Sequence, residues 1–256
     1  MQEQFLKFSP GKANAKLQQI GGVLYSMSLM SGWSCPFADK CYAKAVGNEE
    51  GKFKVELGDK NEFKCFSASQ EAFYPTVRQQ RSHNFELLKK FKRAEEMAEL
   101  IHNSLPKDAT LIRVHVGGDF FSKEYMRAWF MTAKKNPHIT FYAYTKSIGF
   151  WVVLRNEIPD NFKMNASVGG KQDKLIFEHN LKKVFVVYSE QEAIDKGLDI
   201  DHDDTHAFLK DKDFALLIHG NQKAGTKAAE ARNLLMRAEK GQYSRTKIRE
   251  QIKKAA

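Results

Sequence analysis

The sequence predicts an α/β fold, a partial or complete (β/α) barrel of about six parallel strands with polar C-terminal helices. Three observations point there. Six short runs are apolar and rich in β-branched or aromatic residues, as buried strands require. Stretches with helical spacing lie between several of them, and alternation of strand and helix implies a parallel sheet with right-handed crossovers. Glycines, small polar residues and a few charges recur just after each run, at the end of the strands where such barrels place their chemistry. A doubly wound open sheet is the competing arrangement.

The first strand is VLYSMSL (23–29), and a loop over 29–68 holds every cysteine of the chain. NFELLKKFKRAEEMAELIHNSL (84–105), with apolar residues at Phe85, Leu88, Phe91, Met97, Leu100 and Ile101, is the longest stretch read as helical spacing and predicts a long helix. The second strand, LIRVHV (111–116), runs into GGDFFS (117–122), where Ser122 caps a helix over 122–136. ITFYAY (139–144) and TKS (145–147) follow, then FKMNASV (162–168) and VGGKQD (168–173). KVFVVY (183–188) leads to SEQEAIDKG (189–197), a helix with Ser189 as cap and Gly197 as stop. FALLIH (214–219) is the last strand, followed by HGNQKAG (219–225). Residues 226–256 read as one or two polar helices packed outside. With no repeat, low-complexity tract or linker to divide it, 1–256 reads as one domain.

Composition sets outer limits. At 256 residues, 42% hydrophobic and 28% charged, the chain has the make-up of a soluble globular protein. It has no run of roughly 18 apolar residues that a membrane span needs. MQEQFLKFSPGKANAK lacks the apolar core of a secretory signal, so the expected location is the cytoplasm. Three cysteines are an odd set, which argues against a disulfide framework and for metal or catalysis. The net charge of +10 would suit a phosphate-bearing partner, nucleic acid included, and it gathers in KKFKR (89–93) and between Arg232 and Lys254. Solvated lysine-rich helix faces would give the same pattern. There is no GxSxG elbow, Walker loop or HExxH.

Cys35 and Cys41 are five residues apart, and Cys65 follows after twenty-three more. Thiolates are soft anionic donors for iron–sulfur clusters and zinc, and Gly32 and Pro36 suit a loop that wraps a cofactor. A structural zinc ion needs four ligands, and His83 is the fourth candidate. A cubane cluster on three cysteines leaves one iron open to a small ligand. Three unrelated buried thiols are the bland alternative. In VHVGGDFF, Gly117 and Gly118 would let backbone approach a ligand closely, and Asp119 could accept hydrogen bonds from an ammonium group.

These features resemble radical S-adenosylmethionine enzymes, in which cluster cysteines follow the first barrel strand and a Gly-Gly-acid motif after the second holds the methionine amino group. The chain is more closely similar to a phage family known as gene product eighty-eight, through MSLMSGWSCPFADKCYAKA, FKCFSASQEAFYPTVRQQRSHN and RVHVGGDFFSKEYMRAWF to FYAYTKS, over about residues 20–170. The resemblance implies a 4Fe-4S cluster on Cys35, Cys41 and Cys65, a small-molecule ligand at its open iron (S-adenosylmethionine among the candidates), and a radical or Lewis-acid enzyme in an infected host's cytoplasm. Gly117, Gly118 and Asp119 would bind that cofactor. Two departures stand out: the third cysteine is displaced to position 65, and the motif acid is Asp119 rather than Glu.

Asp119 and Lys146 are the candidate catalytic residues, Lys146 as a contact for an anionic substrate. Gln70, Arg78, Arg81, His83 and Asn84 form a second candidate cluster, for phosphate or carboxylate, or else the exposed face of a helix start. LDIDHDDTH (198–206) reads as a solvated acidic loop or a divalent-metal site; Asp204 and Lys210 at the sixth and twelfth positions exclude an EF-hand. The alternative function is a zinc-stabilised basic protein that binds nucleic acid.

Overall fold

The computed structural model describes residues 5–11 and 22–238. The six expected strands form as β2 (Leu24–Met27), β5 (Leu111–Val114), β6 (Thr140–Thr145), β7 (Phe162–Ser167), β8 (Lys183–Val187) and β10 (Phe214–Leu217). They lie side by side in chain order, every neighbouring pair parallel. Two short strands extend this sheet to eight. β1 (Phe8–Pro10) pairs antiparallel with β2, and β9 (Asp199–Ile200) runs parallel to β10. Among the described residues β1 and β9 do not pair with each other, so the result is an open, mainly parallel sheet.

Strand register assigns the two faces. Met27, Val114 and Ala143 stand level across β2, β5 and β6, as do Ile112 and Phe141 in the row beside them. All join one apolar cluster with Trp129, Phe130, Tyr125, Met97 and Ile101. Those last residues come from α3 (Ala94–Ser104) and α4 (Lys123–Lys135), which pack closely on each other. Ser122 Oγ accepts the Tyr125 N–H at 3.1 Å and starts α4 as expected. Ser189 does the same for α7 (Glu190–Asp195), which stops where Gly197 takes φ +65°. The opposite, inner face carries Leu24, Leu111, Tyr142, Val184 and Phe214, closed by Ala207 of α8 (Thr205–Leu209).

Two expectations change. The helix over 84–105 is two helices, α2 (Pro75–Lys89) and α3, broken at 90–93. Pro75 starts α2 nine residues earlier than the apolar stripe suggested, because proline's fixed φ suits the first helical position. Arg93 then takes extended backbone, with Glu96 reaching back to its N–H. The C-terminal helix α9 (Lys227–Arg237) is not a polar attachment: Ala228, Ala231 and Leu235 pack on Val187 and Leu217. The remainder of the expected helical extension, after residue 238, lies outside the described residues.

Candidate functional site at the C-terminal rim

Because the six strands are parallel, the segments that leave them share one rim, and the cysteine loop is pinned across it. Leu29 N donates to Gly117 O at 2.8 Å, after β5. Lys40 N donates to Gly169 O at 3.0 Å, and Lys171 N to Phe37 O at 2.9 Å, after β7. Gln222, after β10, accepts from Lys64 N at 2.8 Å and donates back to Lys64 O at 3.1 Å.

The long gap before Cys65 is a β-hairpin, β3 (Ala43–Gly47) and β4 (Phe53–Leu57), which the loop reading did not anticipate. Its turn is closed by Asn48 Oδ1 on Lys52 N at 2.8 Å, with Gly51 at φ +74°. An Asn-to-Gly turn between alternating residues was a legible signal. At the hairpin's base Gly58 N donates to Tyr42 O and Glu62 N to Lys40 O, so the chain returns beside Cys41. The insertion therefore adds sequence separation without adding much distance to close.

Cys65 is the N-cap residue of α1 (Phe66–Phe73), and Cys35 Sγ accepts from Gly32 N at 3.3 Å. All three thiols are half-buried and free, keeping part of their surface open while protein packs around them. Burial pushes the Cys35 thiol well up; the charges of Asp119, Cys65 and Cys41 add to this, and the Gly32 N–H opposes it. Burial pushes Cys65 up to about 11, with Cys41 adding and the Ala68 and Ser67 N–H groups opposing. The three sulfurs are thus electrostatic neighbours. Among the described residues no three His, Cys, Asp or Glu side chains are gathered tightly enough for one metal ion. A tetrahedral zinc would draw sulfurs to about 3.8 Å apart from its Zn–S bonds, whereas a cubane spreads its thiolates more widely. The fourth zinc candidate, His83, is engaged elsewhere, its Nε2 2.9 Å from Phe5 O.

Gly117 and Gly118 do allow close approach, and the groups that approach belong to the protein. A Cβ on Gly117 would sit 1.9 Å from Ser67 Oγ, and one on Gly118, at φ +88°, 2.6 Å from Ser34 Oγ. Asp119 is buried, and its carboxylate accepts from Phe120 N at 2.7 Å, Thr145 Oγ1 at 2.6 Å and Lys146 N at 2.8 Å. Burial raises its pKa to about 6, against those three donors. One of roughly four lone-pair positions is left for a further donor. Lys146 aims its ammonium along the rim, to Ser167 O, Ser167 Oγ and Val168 O at 2.8–2.9 Å, which uses all three of its protons.

The second candidate cluster is internal. Glu71, fully buried, accepts from Ser31 N, Ser31 Oγ and Arg81 Nη1 at 2.8–3.2 Å. Arg81 also bonds Ser67 O, Ser67 Oγ and Gln70 Oε1. Arg78 holds Glu71 O and lies 3.5 Å over the Phe53 ring, and Asn84 bridges Lys7 and Ser28. These side chains fasten α1 and α2 to the cysteine loop; none reads as an exposed helix face. Glu71, Ser31 and Ser67 were missed because single polar residues in a helical stripe look like surface.

The acidic loop is solvated only in part, with Asp199 and His202 exposed. Asp201 and Asp204 are buried. Asp204 accepts from Arg113 Nη1, from Tyr142 OH at 3.0 Å and from Tyr144 OH at 3.2 Å. His206 lies 3.5 Å from Asp201 and 3.6 Å from Asp199. Sequence spacing could not have revealed a partner ninety positions away.

The family description "Gene product 88" matches residues 5–238. The chain belongs to that family. Similar relatives are the Gene 88 protein of Mycobacterium phage L5, 29% identical over 156 residues, which are 57% of each chain, and the Gene 88 protein of Mycobacterium phage D29, 29% identical over 135 residues, 49% of this chain and 48% of the relative. The chain thus spans about half the length of the curated relatives it matches. No solved structure matches it. Among the described residues no helix is long and apolar enough to cross a membrane.

Proposed function

We propose that this gene product 88 chain is an iron–sulfur enzyme, with Cys35, Cys41 and Cys65 as the protein ligands of a 4Fe-4S cluster. The observation that carries this reading is the return of the chain by the β3–β4 hairpin, which sets Cys65 beside Cys41 on the rim. All the thiols of the sequence then share one half-buried place, too spread for a single ion, and burial raises the proton affinity of Cys35 and Cys65. Buried thiols at neutral pH stay protonated unless a cationic soft centre stabilises their anions, and a cluster is such a centre. With one iron left to an exogenous ligand, such a cluster supplies Lewis-acid or one-electron chemistry.

The chain's own groups would then divide the work. Ser31, Ser67, Glu71 and Arg81 fix the loop that presents Cys35. Asp119, already oriented by three donors, offers its remaining lone pair to an ammonium group on the ligand, the place that S-adenosylmethionine's amino group would take. The crowding at Gly117 and Gly118 keeps that segment against the cysteine loop. Lys146 acts as a positioning residue that holds the ends of β6 and β7 together. A partly closed barrel of the radical-enzyme type is the arrangement we infer for the full site, in the cytoplasm of an infected host.

Anaerobic purification followed by iron, acid-labile sulfide and zinc analysis tests this. A brown protein with about four irons and four sulfides per chain, lost in Cys35→Ala, Cys41→Ala and Cys65→Ala alike, is expected. A colourless chain loaded with zinc would overturn the proposal in favour of the zinc-stabilised nucleic-acid binder.

A further inference from the structure

At the end of the sheet opposite the cysteines, β7 and β8 diverge. β6 and β7 pair along the whole of β7, from Phe141 with Phe162 to Thr145 with Ala166, whereas β7 meets β8 only at Ala166 and Ser167. Asn180 and Leu181, which lead into β8, therefore stand off from Phe162 and Met164, and a cavity of about 460 Å³ opens there. That is the size of a small-molecule site, roughly 300–1,000 Å³. Its floor is core surface, since Trp151, Phe162 and Met164 belong to the main apolar cluster, and Phe208 of α8 forms the facing wall. The gap exists in the folded chain and needs no segment to move.

The polar groups on this lining carry an excess of positive charge. Lys163, Lys182 and Lys210 stand there against one carboxylate, Asp211. Lys182 gives its protons to the carbonyls of His206, Ala207 and Lys210 at 2.6–3.3 Å, and Lys210 Nζ donates to His206 Nε2 at 2.9 Å. Those acceptors are neutral, so the charge is not cancelled. Lys163 is exposed and repels Lys182. The backbone adds a donor. Alternate residues of a parallel strand bond to opposite neighbours. Ala166 N donates to Lys182 O and Val168 N to Val184 O, so Met164, two residues earlier on the same edge, turns its N–H and C=O to the cavity. Among the described residues neither has a ladder partner on that side.

We propose that this cavity binds a medium-chain aliphatic carboxylate, its hydrocarbon on Trp151, Phe162 and Phe208 and its carboxylate at Lys163, Lys210 and the Met164 N–H. Apart from the charged groups, Asn180 and the Trp151 indole, the lining has no side chain to hydrogen-bond a base or a sugar, whose polar edges would be buried at a cost. Charge also decides against the protein itself as occupant. Residues after 238 hold six Lys and Arg against two Glu, and a second copy brings a net +10. The inference does not depend on the cluster, which would lie at the other end of the strands.

Decanoate, titrated into the full chain by calorimetry with tryptophan fluorescence read in parallel, provides the test. Expected are saturable binding to the wild type and a fluorescence change that vanishes in Trp151→Phe while the calorimetric signal persists. Lys163→Gln should weaken binding at least about tenfold, the worth of one charge-assisted contact, and Lys163→Glu further. Lys163 is exposed, so both variants keep the fold. Cys35→Ala should leave binding intact. No saturable binding by the wild type, indifference to Lys163, a fluorescence change that survives Trp151→Phe, or equal binding of decyltrimethylammonium would each overturn the proposal. So would a dimer of the free chain that decanoate splits, which would assign the cavity to a second copy.

Discussion

Among the described residues two arginine–carboxylate pairs of the same chemistry are buried, and they differ in what they fasten. Arg81 and Glu71 stand 2.9 Å apart with side chains 6% and 0% exposed, and the surrounding serines and Gln70 add further bonds to both partners. Arg113 and Asp204 have side chains 12% and 1% exposed, and the hydroxyls of Tyr142 and Tyr144 add further bonds to the carboxylate. Each arginine leaves one nitrogen without a protein acceptor among the described residues, Nε in Arg81 and Nη2 in Arg113, so the pairs are separated by what they fasten and not by saturation. The first pair is a rivet for the cysteine loop, and the second is a latch that ties the acidic loop to the inner face of the sheet.

The largest effect should come from breaking the rivet. Glu71→Ala would leave the Arg81 guanidinium buried without its counter-charge and free Ser31, at about 3–5 kcal/mol of stability. Chemical denaturation should show the midpoint fall, together with loss of iron from the proposed cluster. If iron content survives unchanged, the network is not what presents Cys35. Breaking the latch should cost less. Asp204→Asn removes the charge but keeps an acceptor, and Arg113 can reach solvent, so about 2 kcal/mol is expected, the range of one hydrogen bond to a charged group. Equal losses at the two sites would erase the distinction between them.

A pH titration sharpens the same comparison through His115. Burial first, and the Arg113 charge second, lower its pKa to about 3, so the folded chain keeps it neutral. The unfolded chain takes up the proton near pH 6.5, so this contribution to stability is complete above that pH and drains as pH falls toward 3. By about pH 5.5 the loss from this one group is ~1.4 kcal/mol. His115→Asn, which tolerates the φ of +74° and does not titrate, should flatten the acid limb of the stability curve. An unaltered slope would show that His115 is protonated in the fold.

The contrast also explains what could be read from the sequence. The six strands and the capped helices α4 and α7 were legible because their signals are local: an apolar run, a serine at a helix start, a glycine at its end. The cysteine loop was legible as a loop, and its hairpin could have been found at Asn48 and Gly51. What stayed hidden depends on distant partners. Gln70 and Arg81 look like ligand-binding groups until Gln70 is seen to accept from Arg81, and Arg81 to donate to Glu71 and Ser67 as well. Lys146 looks free until Ser167 and Val168 take its protons. The acidic loop looks solvated because Arg113 lies 91 positions away. The break at 90–93 was legible too, because at about 100° per residue Phe85, Leu88 and Phe91 would lie on the opposite side of one continuous helix from Met97, Leu100 and Ile101.

The hairpin's base gives the smallest effect and the finest test of how Cys65 is brought home. Lys40 and Glu62 pair at 2.7 Å there, with side chains 45% and 50% exposed. Exposed pairs of this kind contribute roughly 0.2–1 kcal/mol, and salt screens them. The same base also carries the backbone bonds of Glu62 and Phe63 to Lys40 O, which need no side chain. Lys40→Ala should therefore lower stability by less than about 1 kcal/mol and leave the cysteines together, with iron content as in the wild type. If iron is lost while the denaturation midpoint holds, the ion pair rather than the backbone ladder closes the loop, and Cys65 owes its place beside Cys41 to one surface contact.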